Sequence, residues 1–320
     1  MFKVFIKSMT FAVLANSLRV NHRVNKIKQN SLVTILNLHR VSEADGSAYQ
    51  PLSPKLFQEL LKFCKENFEI TTFTELNESK SIKPKLILSF DDGYKDFIDI
   101  AVPMLDKLDI KVNQNIIPAC VLSGLPPLNV IAQDFIGKAP LSLLANLVIP
   151  GLDIKKLLND RLRLGHRVSA YIKNKTMAEQ NALRDDLMFQ FYKFDELVIT
   201  SMMNKNDISQ LINIHEFGAH SYSHANLGVE SDAYFMTDLQ GCKQFFTDEL
   251  KSNVDIYAFP NGSYREKQVL IAQNAGFKHV LLVDNKFSNL NTNFFPRFGF
   301  YANSKSEVIF RATGATAEIV

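Results

Sequence analysis

The chain has 320 residues, of which 46% are hydrophobic and 22% are charged, and its formal net charge is +3. This composition is typical of a soluble globular protein, and the length suits one large α/β domain or one domain with an insertion. The charge is too small to indicate a nucleic-acid partner, and no basic run is interleaved with aromatic residues. Three scattered cysteines without a C-x-x-C pair indicate free thiols in a reducing compartment.

The N-terminal segment 1–31 has two interpretations. Lys3 and Lys7 precede a short apolar run at 9–15, as in a secretory signal peptide, but apolar residues interrupt the charged part. An amphipathic helix, resting on a membrane surface or on the fold itself, fits the segment at least as well. No apolar run reaches the roughly 20 residues that span a bilayer. We therefore expect a protein that is cytoplasmic or peripheral to the membrane through its N-terminus, with export kept open.

Apolar strand-like runs alternate with helical patterns along most of the chain. Strands are predicted at 32–38, 86–90, 112–118, 215–219, 256–259 and 279–283. Helices are predicted at 54–67, with Ser53 as the N-cap, and at 96–108, 232–251 and 266–275. Strands separated by helices form βα units, so we predict an α/β fold with a mainly parallel sheet. In such folds ligands gather at the C-terminal ends of the strands.

A segment at about 124–207 interrupts this alternation. It has little strand signal and carries helical patterns at 141–148, 154–172 and 177–191. We predict a helical insertion here, which acts either as a lid or binding surface or as a scaffold that covers the side of the fold.

Two motifs at predicted strand ends carry most of the functional signal. Asp91 and Asp92 follow one strand, and His220 and His224 follow another. One carboxylate with two imidazoles is a ligand set suited to Zn²⁺ or a similar divalent ion, with positions left open for water. The second carboxylate is then free to act as a base beside that water.

The residues around these motifs resemble the polysaccharide deacetylases, carbohydrate esterases with a NodB-type homology domain. The first family motif appears as Ser89-Phe90-Asp91-Asp92-Gly93-Tyr94, and the second, H-[ST]-x-x-H, appears as His220-Ser221-Tyr222-Ser223-His224. The run Tyr257-Ala258-Phe259-Pro260-Asn261-Gly262 resembles a third motif, and Leu38-His39-Arg40-Val41 resembles an opening phrase of several members. The resemblance implies an irregular, partly open (β/α)-barrel over 32–302, with the insertion inside it and a C-terminal tail at 303–320.

The resemblance also implies roles for the matching residues. The implied metal ligands are Asp92, His220 and His224. Asp91 would be the general base that takes a proton from the attacking water, and a backbone N–H near Ser263 or Tyr264 would stabilise the oxyanion. Residues implied to contact the substrate or the oxyanion are Tyr94, Pro260, Asn261 and Tyr264. Tyr222 and Tyr301 are further rings suited to stacking on a sugar. The implied metal is Zn²⁺ first, with Co²⁺, Ni²⁺ or Mn²⁺ as alternatives.

Two departures from the family pattern affect proton transfer. The position of an orienting arginine in the family is Ala258 here, and the neighbouring aromatic residue is replaced by Asn261. Arg297 is the candidate to supply the guanidinium, with an ordinary salt bridge as the alternative. The family's late general-acid motif is missing as well. His39 is the preferred replacement, with His279 second and a purely structural histidine as the alternative.

The sequence thus predicts a metal-dependent hydrolase that removes N-acetyl or related acyl groups from an amino sugar. The setting would be a polysaccharide, glycolipid or glycan precursor in cell-surface glycan biosynthesis. Two alternatives stay open: a metal-dependent amidohydrolase on another non-peptide C–N bond, and a carbohydrate-binding relative with impaired catalysis. A carbohydrate is the expected partner, and the oligomeric state is not predicted.

Overall fold

The computed structural model of the chain describes residues 11, 15–78, 81–290 and 292–319. Within these residues the strands are β1 Leu32–Leu38, β2 Glu69–Ile70, β3 Lys85–Phe90, β4 Asn113–Ile116, β5 Glu216–Ala219, β6 Ile256–Ala258, β7 His279–Leu282, β8 Ser288–Asn289, β9 Phe294–Pro296 and β10 Phe298–Gly299. The α-helices are α1 Ser17–Gln29, α2 Pro54–Asn67, α3 Val102–Asp106, α4 Pro118–Ser123, α5 Leu128–Lys138, α6 Leu141–Ala145, α7 Arg161–Lys173, α8 Met177–Phe191, α9 Lys205–Leu211, α10 Asp232–Leu250, α11 Glu266–Asn274 and α12 Lys305–Ala312. A π-helical turn at Phe97–Ala101 leads into α3, and 3-10 turns occupy Lys155–Leu157 and Pro260–Gly262.

The strands form one sheet that nearly closes into a barrel. Its order is β10-β1-β3-β4-β5-β6-β7-β9, with parallel pairing at every step. The two outermost strands, β9 and β10, are consecutive in the sequence and separated only by Arg297. One bent segment therefore pairs with β7 on one side and with β1 on the other. This topology confirms the predicted irregular (β/α)-barrel.

Helix α2 shows how local sequence builds the outer layer. The Ser53 hydroxyl accepts a hydrogen bond from the backbone N–H of Leu56 at 3.3 Å, and Pro54 occupies the first helical position, as the sequence predicts. Apolar residues at helical spacing, Phe57, Leu60 and Leu61, are fully buried against the barrel.

Both terminal segments pack on the barrel. In α1 the apolar residues Val20, Val24 and Ile27 belong to the main core, so the described part of the N-terminal segment rests on the fold. The signal-like residues 1–10 and 12–14 lie outside the described residues. The segment 303–320, predicted as a tail, instead contains α12, because Val308 and Ala312 lie one turn apart and are fully buried.

The insertion between β4 and β5 has a hydrophobic core of its own. Helices α5, α7 and α8 contribute most of its buried residues, and the rings of Phe135 and Phe191 stack with centroids 4.8 Å apart. Helix α8 has the predicted bounds Met177–Phe191, with a capping box between Thr176 and Glu179 at its start. Among the helices of the described residues, none combines the length and apolar character that a membrane crossing requires.

Candidate metal centre and active site

The barrel brings the two sequence motifs to the same edge. Asp91 follows the last residue of β3, and its backbone N–H donates to the carbonyl of Leu38 at 2.9 Å. His220 follows the last residue of β5, and its backbone N–H donates to the carbonyl of Ile116 at 2.8 Å. Because β4 alone separates β3 from β5 in the sheet, the residues that follow them are close together.

Both loops carry non-glycine residues in the left-handed region. The φ angle is 76° at Asp92, 58° at Ser221 and 60° at His224. L-amino acids avoid this region at a cost of about 1–2 kcal/mol, so surrounding contacts must hold these turns. Gly93, with φ 84°, continues the first turn, and its carbonyl accepts a hydrogen bond from the backbone N–H of Met203 at 2.9 Å.

Asp92, His220 and His224 form a buried cluster in which the possible ligand atoms lie within 4.8 Å of one another. The Nε2 atom of each histidine is 3.4 Å from Asp92 Oδ1. Among the described residues, no hydrogen bond reaches this carboxylate oxygen, although it is fully buried. An unpartnered buried carboxylate oxygen facing two imidazoles fits a divalent cation.

The histidines are held in the form that a metal needs. The Nδ1 atom of His220 is 3.0 Å from the carbonyl oxygen of Ala258, which makes Nδ1–H the donor and leaves Nε2 bare toward Asp92. Burial lowers the pKa of His224 to about 3, against the opposing effect of Asp92, so its ring is neutral at ordinary pH. Neutral imidazoles are metal ligands, whereas protonated imidazoles are not.

Asp91 is paired with Arg297, which lies where the barrel closes. The Nη1 atom of the guanidinium is 2.8 Å from Asp91 Oδ1, Nη2 is 2.8 Å from Oδ2, and both side chains are buried. Burial alone would raise the pKa of Asp91, but Arg297 and His220 outweigh it and hold that pKa well below its usual value. A guanidinium, missing at Ala258, is thus supplied from the junction of β9 and β10.

A buried layer of polar side chains supports this ion pair. Asn115 Nδ2 donates to Asp91 Oδ1 at 2.8 Å, and Arg297 Nη1 also donates to Ser89 Oγ at 2.9 Å. Gly218 leaves the space that Asn115 needs, because a Cβ atom there would lie 2.3 Å from Asn115 Oδ1. The sequence does not predict this role of Asn115, since an asparagine inside a short strand carries no sign of its distant partners.

The two candidate general acids lie at opposite ends of the barrel. His39 follows β1 at the metal edge and is half-buried. Burial lowers its pKa, although the charges of Asp92 and Asp91 act in the opposite direction. His279 is the first residue of β7, and its ring is 5.8 Å from Phe73, so this second choice is wrong. The role of His39 stays a prediction.

The tyrosines predicted to stack on a sugar differ in their exposure. Tyr94 is 1% exposed, with its ring 6.0 Å from that of Tyr49 and 5.8 Å from the Arg40 guanidinium. The prediction that a sugar stacks on Tyr94 is therefore wrong, because these neighbours enclose the ring. Tyr301, in contrast, lines a cleft together with His39.

The turn after β6 holds the other three predicted contacts. Pro260 is buried, Asn261 is exposed with φ 60°, and the Tyr264 hydroxyl donates to Asp284 Oδ2 at 2.9 Å. The Ser263 N–H already donates to the Pro260 carbonyl at 3.1 Å. Oxyanion stabilisation at this turn therefore falls to the backbone N–H of Tyr264, and it remains a prediction.

Comparisons with known proteins support this barrel fold and the histidine motif that follows β5. The sequence model of the family described as polysaccharide deacetylase matches residues 197–280, a range that includes His220 and His224. No curated protein matches the chain. A deacetylase from Streptococcus pyogenes, PplD, solved with acetate, has a TM-score of 0.58 at 16% identity, over 88% of this chain and 98% of that one.

Two other solved structures give the same result. IcaB from Ammonifex degensii has a TM-score of 0.57 at 14% identity, over 88% of this chain and 97% of its own. A polysaccharide deacetylase from Bacillus cereus has a TM-score of 0.54 at 13% identity, over 88% of this chain and 69% of its own. The fold is that of the deacetylase-type (β/α)-barrels. The resemblance to the polysaccharide deacetylase family is confirmed.

Proposed function

We propose that the protein is a divalent-metal-dependent hydrolase that removes N-acetyl or related acyl groups from an amino sugar. The observation that carries this proposal is the buried cluster of Asp92, His220 and His224 directly beside the Asp91–Arg297 pair. The family match supports the reaction class, and the donor set supports Zn²⁺ before Co²⁺, Ni²⁺ or Mn²⁺. We also propose a cytoplasmic or membrane-peripheral place in glycan biosynthesis.

The bound metal would polarise the acyl carbonyl and make a water molecule more acidic. Asp91 then accepts the proton of that water. Its low pKa keeps it ionised, but it also makes Asp91 a weak base, which is why the water must be acidified. Asp91 Oδ2 is 3.8 Å from His220 Nε2, so this carboxylate faces the centre, while Arg297 fixes its plane.

Two further residues complete the proposed chemistry. The backbone N–H of Tyr264 would donate to the oxyanion that develops on the acyl carbonyl oxygen. His39, at the end of β1, would donate to the leaving amine the proton that Asp91 takes from the attacking water and passes on. The alternative of a catalytically impaired relative rests on the changes at Ala258 and Asn261, and the Arg297–Asp91 pair weighs against the first of these.

Acetate release tests the proposal. The purified protein is expected to contain one divalent metal per chain and to release acetate from N-acetylglucosamine oligomers, with activity lost in a chelator and restored by Zn²⁺. Asp91→Asn should lower acetate release by about 100-fold or more, because proton transfer by a positioned base contributes about 10²–10⁴. Asp99→Asn removes a carboxylate that is 53% exposed and should leave the rate unchanged. Equal rates for Asp91→Asn and wild type would overturn the assignment of the base.

A further inference from the structure

Two clefts open beside the metal cluster, and each contains a residue of the site. One cleft of about 420 Å³ is lined by His39 together with Tyr49, His166, Lys173 and Tyr301. The other, of about 560 Å³, is lined by His224 together with Gln180 and Arg184. No aspartate or glutamate is among the described residues that line either cleft.

The insertion supplies a cation to each cleft. Lys173 is the last residue of α7, and Arg184 lies in the middle of α8. Both side chains are half-buried, and neither forms a salt bridge or a side-chain hydrogen bond within the described part of the chain. Arg40, which also lines the first cleft, differs because it is already neutralised by Asp45 and Asp96.

Lys173 is positioned by the metal-binding loop itself. The side-chain Nδ2 of Asn226, two residues after His224, donates to the backbone carbonyl of Lys173 at 2.7 Å. Glu230 Oε1 accepts a hydrogen bond from the backbone N–H of Met177 at 2.6 Å, where the next helix begins. These contacts fix the two insertion helices to the loop that follows the metal ligands.

The charge of Lys173 is poorly compensated. Burial lowers its pKa, and Asp92 is the carboxylate that opposes this effect. A divalent cation at the cluster would offset Asp92 and leave the lysine without a counter-charge. An unpaired cation that is partly removed from water is unfavourable, so an anion from outside the chain would stabilise it.

We propose that the substrate is an anionic glycan, in which carboxylate or phosphate groups next to the N-acylated sugar bind Lys173 in one cleft and Arg184 in the other. This inference rests on the proposed function and narrows its substrate class. It assigns the insertion a role in substrate recognition rather than in covering the barrel alone. Aromatic rings such as that of Tyr301 would contact the neutral sugar faces.

Matched substrates test the inference. Acetate release is compared between chitotetraose and a hyaluronan tetrasaccharide, which carries carboxylates, and between N-acetylglucosamine and its 1-phosphate. The wild-type protein should have a kcat/KM at least about tenfold higher for an anionic substrate than for its neutral partner. Lys173→Gln with Arg184→Gln should remove this preference mainly through KM, and raising the salt concentration to about 0.5 M should weaken it in the wild type. The tetrasaccharide pair tests a carboxylate as the bound group, and the monosaccharide pair tests a phosphate.

Lys175→Gln is the matched control, since it removes the same charge two residues away, where the ammonium lies 4.6 Å from the Tyr171 ring centroid and outside both clefts. It should keep the wild-type preference. An equal kcat/KM for neutral and anionic substrates would overturn the inference and leave the deacetylase proposal intact. A preference for anionic substrates that survives in the double variant would do the same.

Binding provides a readout besides turnover. Calorimetric titration of the zinc-loaded Asp91→Asn protein should show tighter binding of the hyaluronan tetrasaccharide than of chitotetraose, and this difference should vanish with Lys173→Gln and Arg184→Gln. If no substrate releases acetate while this binding difference is present, the proposed reaction fails and the anionic specificity stands. Equal binding of both tetrasaccharides would overturn the specificity.

Discussion

Asp91 and Arg297 are both removed from solvent, and each is the counter-charge of the other. Their two hydrogen bonds of 2.8 Å match a planar guanidinium to a planar carboxylate, a geometry that lysine does not reproduce. The arginine also connects β9 to β10 at the closure of the barrel. One residue therefore links the base to the closure of the barrel.

Replacing Arg297 should affect both stability and activity. Arg297→Met leaves Asp91 as a buried carboxylate without its main counter-charge, so the free energy of unfolding should fall by about 3–5 kcal/mol. Arg297→Lys should retain part of that stability but little activity, because a lysine cannot fix the plane of Asp91. Urea unfolding and acetate release measure the two effects. Lys278→Met, which breaks an exposed pair with Asp255, is the control and should change stability by less than about 1 kcal/mol.

The pH dependence of stability separates the ion pair from simple packing. The fold holds the pKa of Asp91 below its usual value, so the unfolded chain takes up this proton first as the pH falls. The pair's contribution is therefore complete above a pH of about 4 and is lost as the pH drops through the folded-state pKa. In Arg297→Met, burial raises the pKa of Asp91 instead, so the stability of this variant should decrease as the pH rises above about 4. Parallel pH profiles for the two proteins in a chelator would contradict this account.

At the scale of elements, the agreement between sequence and structure depends on the length of the periodic signal. Helices α2 and α8 have the predicted bounds, because each combines an N-cap residue with an amphipathic or capped run of 14 or 15 residues. Strands β9 and β10 are three and two residues long, too short for any periodicity, so no sequence pattern predicts them. Their pairing partners determine them, so only the folded barrel reveals them.

The residues of the candidate site also fall into two groups, those that a local sequence pattern predicts and those that it does not. Asp91, Asp92, His220 and His224 stand in compact motifs at the ends of predicted strands, so their proximity could be predicted from the sequence. Other contributors have no such local pattern: Asn115, Asp238, Lys173 and Arg184. Each gains its place from contacts between elements that are far apart in the chain.

Helix α10 supports the metal-binding loop through a single carboxylate. Asp238 Oδ1 accepts hydrogen bonds from the Ser221 hydroxyl at 2.6 Å and from the backbone N–H of Tyr222 at 2.8 Å, and Oδ2 accepts one from the Tyr257 hydroxyl at 2.7 Å. Asp238 is 4% exposed, and burial raises its pKa against the effect of these donors. These contacts stabilise the left-handed turn at Ser221 that lies between the two histidines.

Asp238→Asn should therefore weaken metal binding without touching a ligand. The amide keeps one acceptor and turns a donor toward the donors of the loop, which should cost about 2 kcal/mol or more of unfolding free energy in a chelator. Zinc affinity, measured by competition with a chelator, should fall by about 10–100-fold. Asp248→Asn, at an exposed position on the same helix, is the control. An unchanged zinc affinity in Asp238→Asn would show that the loop keeps its shape without this support.

At the scale of the whole molecule, the described residues form two large hydrophobic cores. The main core joins the barrel to α2, α10 and the terminal helices, whereas the second core lies within the insertion. Polar tethers such as those of Asn226 and Glu230 connect the insertion helices to the metal-binding loop. A molecule built in this way can lose the order of the insertion while its barrel stays folded.

Phe191 tests this division. Phe191→Ala removes a fully buried ring from the insertion core, at a cost of about 3–5 kcal/mol, and should open α5, α7 and α8 locally. Hydrogen exchange should then increase in these helices while β3 and β5 stay protected and zinc still binds. Phe57→Ala, a ring of equal burial in the main core, should lower protection in the barrel as well. If anionic glycans are recognised through Lys173 and Arg184, Phe191→Ala should also abolish the preference for them. Equal loss of protection in β3 and α8 of Phe191→Ala would mean that both cores unfold as one cooperative unit.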